Sequence, residues 1–207
     1  MNLKILLFIL AFPVLGFGQK INFKEIKKNL NDSKSAYNHD KLVFKFKGMP
    51  KSLDSLEAMH LYYGRNFIKN KVSVIDNDFK SLAESFKSGD FEGCITKGKH
   101  LYTKDPTNLD VILILLKAYD HQKKANDFFH HLSQLRLLTN AIKSSGDGKS
   151  EKTAYVVNSV GDEYIFLNIL NIGQDYTRRS TTYKNSIVDI WSKDNETIYI
   201  RIMYNDY

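Results

Sequence analysis

The stretch GDFEGCITKGKHLYTKDPTN, residues 89–108, decides the fold. Gly89 allows the chain to reverse, and Asp90-Phe91 opens a new helix. Cys94 places a small side chain early in that helix, where a neighbouring helix can approach closely. Pro106, twelve residues further on, cannot continue a helix and marks its stop. On the near side, Asp78 to Lys87 carries Phe79, Leu82, Ala83 and Phe86 at helical spacing. The spacing predicts two antiparallel helices joined by a glycine turn and closed by Asp-Pro.

That layout resembles the second half of a tetratricopeptide repeat. A second unit of the same period follows, with Ile112, Leu115, Leu116 and Tyr119 on its first helix and Phe128, Leu132, Leu135 and Leu138 on its second. The repeat-like units run over about 76–108 and 109–142. Three features depart from the repeat pattern. Gly98 stands where an aromatic residue is usual, Leu101 stands where Ala is usual, and the turn Gln122-Lys123-Lys124-Ala125 lacks glycine. The reading is two degenerate repeats, or three if Leu56–Phe67 opens a preceding one. So short an array buries surface only against neighbours and needs a cap.

The flanks supply candidates for that cap. Residues 20–47 read as two short helices, the first with Phe23, Ile26, Lys27 and Leu30 on one stripe. Leu42-Val43-Phe44-Lys45-Phe46 fits helix or strand, and Gly48-Met49-Pro50 is a turn. Asp54 and Glu57 have capping-box spacing ahead of Leu56, Met59, Tyr63 and Phe67, with Gly64 as a late interruption. After Gly148 the period changes to two. Tyr155–Val157 and Glu163–Leu170 read as strands, and Ser186–Ser192 pairs with Thr197–Tyr204 across Lys193-Asp194-Asn195-Glu196. The expected fold is α+β. Tetratricopeptide-like hairpins in a helical region 19–143 pack as one compact unit against a small, mainly antiparallel sheet in 144–207.

The first eighteen residues have the layout of a cleavable secretory signal. Lys4 is followed by the apolar run Ile5–Phe12, then Pro13, then Gly16-Phe17-Gly18 ahead of Gln19. No Cys lies near that cut, so a lipid anchor there is excluded, and no membrane span is expected after cleavage. The expected location is the periplasm, the outer-membrane periphery or the cell exterior. Cys94 is the single cysteine of 207 residues, so no intramolecular disulfide can form and stability must come from packing. The net charge of +7 is spread among acids and amides rather than gathered in a block, which argues for a solvated surface and against nucleic acid.

The run SSGDGKS, residues 144–150, ends like a phosphate-binding loop but lacks its first glycine, because position 143 is Lys. It also follows a helix and precedes strands, so it meets the negative end of the helix dipole. A helix C-cap with Gly146 or Gly148 in the left-handed region is the expected structure. The segments AIKSSGDGKSEKTAYVV (141–157) and DEYIFLNILNI (162–172), with LYYG (61–64) and the GDF…DP stretch, resemble an uncharacterised domain-of-unknown-function family of secreted or envelope-associated Gram-negative bacterial proteins. The resemblance spans roughly 22–204. It implies tetratricopeptide-like helices followed by a β-region and brings no established activity or cofactor.

Recognised catalytic motifs are missing from the sequence, and no cofactor or metal site is expected. His130 and His131 are adjacent and diverge on a helix; Asp127 and His131, four apart, form at most half a metal site. His60 reads as a satisfied, partly buried histidine, and Arg178-Arg179 as part of a solvated loop. Asp110, Leu113, Lys117, Asp120 and His121 fall on the face that tetratricopeptide pairs use to bind partners, here another envelope or secreted protein. Gly146, Asp147 and Gly148 form a possible ligand-contacting loop. The leading function is thus a non-enzymatic interaction protein. The alternatives are a small-ligand or carbohydrate binder using Tyr and Trp191 near the helix–sheet joint, and an enzyme with an unrecognised site.

Overall fold

A computed structural model describes residues 21–183 and 186–203. The signal-like segment 1–18 and Tyr204, the expected end of the last strand, lie outside the described residues. The chain runs α1 (Phe23–Asn31), α2 (His39–Gly48), α3 (Ser55–Gly64), α4 (Asn77–Ser88), α5 (Phe91–Lys104), α6 (Leu109–His121) and α7 (Ala125–Lys143). It then forms β1 (Tyr155–Val157), α8 (Val160–Ile169), β2 (Thr177–Tyr183), β3 (Ser186–Lys193) and β4 (Glu196–Ile202). No described helix is long and apolar enough to cross a membrane.

The helix starts follow from local chemistry. Asn22, Asn38, Asp90, Asn108 and Ser159 each accept a hydrogen bond from a first-turn N–H, and Asp54 with Glu57 completes the capping box. Gly89 ends α4 at φ +77°, which glycine adopts without steric cost, and Asp90 starts α5 at once. Leu42 and Phe46 are both fully buried at i, i+4, so the ambiguous 42–46 segment is helix α2.

The departure at Gly98 has a packing cause. A Cβ built there would lie 2.7 Å from Leu115 Cδ2, so α6 approaches α5 through the missing side chain. Cys94 is buried beside this crossing, in a core with Leu82, Leu101, Val111, Leu115, Ala118 and Tyr119; burial raises its thiol pKa. A second, larger core runs without interruption through both parts of the chain. It joins Ile26, Leu42, Phe46, Tyr62, Tyr63, Leu116 and Leu138 from the helices to Val157, Phe166, Ile200 and Ile202 from the C-terminal region.

The sheet has the order β1-β4-β3-β2. β2–β3 and β3–β4 are antiparallel, with Ile190 opposite Tyr199 across the Asp194-Asn195 turn, whereas β1 runs parallel to β4.

Two expectations are corrected. The segment Glu163–Leu170 belongs to helix α8 and its C-cap Leu170, not to a strand. Ile165, Phe166 and Leu167 are all buried because α8 has the helices on one side and the sheet on the other. A helix covered on both sides loses the one-sided stripe that identifies helices in sequence. Arg178-Arg179 belongs to β2, not to a loop. β2 is an edge strand whose polar TRRSTTY composition hides its strand character and suits an exposed edge.

Candidate functional site

The face of α6 read as a partner surface is divided in two by α8. Asp110, in the first turn of α6, places its carboxylate against Gly161 of α8, where an added Cβ would stand 2.6 Å from Oδ2. Leu113 packs against the main core. Both are therefore partly buried, Asp110 against α8 and Leu113 against the core. Lys117, Asp120 and His121 lie exposed at the other end of α6. There the His121 ring stacks on Phe91 (3.9 Å between centroids, 23°), and Phe91 meets Phe86 edge-on at 6.4 Å. Phe86 is 38% exposed. The open end thus carries a strip of three rings flanked by Lys117 and Asp120.

The loop Gly146-Asp147-Gly148 is spent on internal bonds. The N–H groups of Asp147 and Gly148 both donate to Thr153 O, and Lys149 N donates to Asp147 Oδ1. Tyr199 N donates to Gly148 O, and Val156 N donates to Ser145 Oγ. Gly148 adopts φ +68° against the Tyr155 ring, and Gly146 abuts the carbonyls of Thr153 and Ala154. The segment fastens the end of α7 to β1 and β4. The Thr153 hydroxyl and the Lys149 N–H hold the exposed Asp147 carboxyl below its ordinary pKa.

The densest chemistry sits where α8 begins. Ser159 caps the helix by accepting from Asp162 N, so Asp162 and Glu163 occupy the first turn. They are adjacent, hence about 100° apart, and both are buried. Asp162 points into the helical region. Tyr62 donates its hydroxyl proton to Asp162 Oδ2 at 2.6 Å while accepting from Asn158 N, and the Asn158 side chain donates to Tyr62 O. Beside them, Arg65 Nε donates to Asp105 Oδ2 at 2.8 Å, and another guanidinium nitrogen donates to Val72 O. Burial raises the Asp162 pKa. Burial, and then the Asp162 charge, pushes Asp110 up to about 6 against the pull of Arg65.

Glu163 points the other way, into the sheet. Trp191 Nε1 donates to Glu163 Oε1 at 2.8 Å. Asp189 on β3 pairs with Arg178 and accepts from the Ser180 hydroxyl, both on β2; the same guanidinium lies 3.8 Å from Glu163 Oε2. Arg178 also lies over the Trp191 ring at 5.7 Å and reaches Tyr164 Oη at 3.4 Å. Burial is the main cause that pushes the Glu163 carboxyl up to about 7; the Asp189 charge adds to it, and Trp191 and Arg178 oppose it. Glu163 and Asp189 thus form a pair of buried carboxyls that share one guanidinium. Arg178 (34% exposed) and Tyr164 (47% exposed) form its outer edge.

His60 and His131 play structural parts. His60 bonds Asn29 and Leu56 O and stacks on Tyr37, a satisfied buried ring. His131 spends Nδ1 on the backbone carbonyl of Asp127, which takes that nitrogen away from an Asp127–His131 metal pair. Among the described residues, no group of three or more His, Cys, Asp or Glu is placed to hold a metal ion. Sequence reasoning missed Asp162 and Glu163 as site residues because Glu163–Leu170 reads as a strand, which hides the helix start just before it. The available signal was Ser159 three residues before Asp162, the spacing of a helix cap.

No curated protein and no solved structure matches the chain. A family described as Domain of unknown function (DUF4919) matches residues 24–206, nearly the whole length, and the chain belongs to that family.

Proposed function

We propose that the protein is an exported, non-enzymatic interaction protein that binds another envelope or secreted protein through the open end of its helical hairpins. The observation that carries this reading is the partly exposed ring strip Phe86–Phe91–His121 beside Lys117 and Asp120, at the end of α6 away from its contact with α8. Partly exposed aromatic rings next to charges of both signs are the composition of protein interfaces. The export element rests on the signal-like pattern of residues 1–18. The test is capture from the producing cell's envelope fraction, using the chain from Gln19 onward as bait and its Lys117→Glu, Asp120→Lys form as control. A partner held by the parent and lost by the folded control supports the reading. A partner held equally by both, or none held by a folded bait, contradicts it.

A second reading has one observation in its favour. Tyr164 and Arg178 lie at the surface over Trp191 and two buried carboxylates, a mixture of ring faces and polar groups suited to a small polyhydroxylated ligand. Saccharide titration followed by Trp191 fluorescence tests it, and a flat response across a panel of neutral and acidic sugars rejects it.

A further inference from the structure

We propose that α8 is a proton-responsive plug: shared protons among the acids around its first turn hold it on α6 and on the sheet, and their loss loosens it and uncovers Asp110. The release is a property of the isolated protein. Its value for partner binding rests on the interaction reading above.

The argument begins with charge balance at the two contacts of α8. On the helical side, Asp162 is faced by Tyr62 of α3, Arg65 of the turn after α3, Asp105 of the α5–α6 connection and Asp110 of α6. Arg65 is committed to Asp105 and to Val72 O, and Lys71 nearby is less basic than usual because of burial and Arg65. No ion pair is formed by Asp110 or Asp162 among the described residues. On the sheet side, Glu163 is faced by Asp189 and Trp191 of β3 and by Arg178 of β2. Arg178 is engaged by Asp189, and Glu163 Oε2 is buried without a hydrogen-bond donor. A proton on Glu163, directed at Asp189, settles that oxygen at once.

Five acids thus meet two arginines around one helical turn. Ionising all of them leaves buried negative charge on both sides of α8, which a low-dielectric interior penalises. The direction is fixed by Asp110 and Glu163, whose carboxyls are raised to about 6 and about 7. Raised acids favour the closed state at low pH and lose that contribution as pH rises through those values. The hold on α8 is therefore strongest at acidic pH and falls from the ordinary carboxylate range up to about pH 7, with Glu163 carrying the last part of the loss above pH 6. Asp110 against Gly161 and Glu163 against the sheet act on the same ten-residue helix, so both losses favour its release.

Trp191 is the single tryptophan of the chain and bonds Glu163 directly, so its fluorescence reports this contact. The experiment measures hydrogen exchange of the α8 amides in the whole protein at pH 6 and pH 8, corrected for intrinsic exchange, with Trp191 emission titrated in parallel. The expected result is a rise of about tenfold in the opening of α8, with α3 unchanged. The rise is lost in Glu163→Gln, which keeps an acceptor for Trp191. Should that variant not fold, Asp110→Asn serves: its α8 rise is smaller than in the parent. Equal α8 protection at both pH values, or the same rise in the folded variants, overturns the proposal. Because no partner enters the measurement, it can fail while the interaction reading stands, and the reverse.

Discussion

Asp110→Asn probes the cost of the acids around α8 most cleanly, because Asn keeps the shape and removes the charge. The Asp110 carboxyl rises from 3.8 to about 6, chiefly through burial and then through the Asp162 charge. Each pH unit between the two values is worth about 1.4 kcal/mol, so ionised Asp110 costs the fold roughly 3 kcal/mol once pH exceeds 7. The folded state binds more protons than the unfolded state between those values, so this part of the stability is present at low pH and lost as pH rises through 6. Urea unfolding of both proteins from pH 4 to pH 8 reads the difference. The variant should gain on the parent by about 2.5 kcal/mol across that range, with little difference at pH 4. A difference that stays flat with pH, or a variant less stable than the parent at pH 8, would refute the reasoning.

Gly148→Ala forces a side chain into a left-handed backbone beside the Tyr155 ring and should cost about 2 kcal/mol, read as a lowered thermal midpoint. Gly98→Phe, which restores the aromatic residue usual in the repeat, should destabilise rather than stabilise, by about 1–3 kcal/mol in a urea titration, because Leu115 occupies that space. Asp54→Ala removes the side-chain acceptor of the capping box and leaves the backbone donor to Glu57; it should cost about 1 kcal/mol, with Asp54→Asn recovering most of it.

The parts of the fold legible in sequence were those set by local chemistry or by one-sided burial. Gly89, Asp90 and Pro106 bounded α5 because turn, cap and stop are properties of single residues. The β3–β4 hairpin was legible because Ile200 and Ile202 alternate with less buried neighbours. α8 was not, since its two covered faces erase the period, and β2 was not, since its strand character comes from pairing with β3 rather than from its polar residues. The candidate partner residues all lie on α6, but one of them, Asp110, packs against a helix from fifty residues further along the chain, a contact that only the fold creates. The acids of α8 escaped notice for a similar reason. Asp162 finds Tyr62 a hundred residues away and Glu163 finds Trp191 twenty-eight away, pairings that only the fold brings together.

The central structural claim is that α8 welds helices and sheet into one cooperative unit through a shared core and through the paired acids at its start. The direct measurement is urea unfolding followed at once by far-ultraviolet circular dichroism, dominated by the helices, and by the fluorescence of Trp191 in the sheet. The account predicts a single transition with coincident midpoints at pH 6. Two separated transitions, with the Trp191 signal lost while helicity remains, would contradict it and make the sheet an independent attachment.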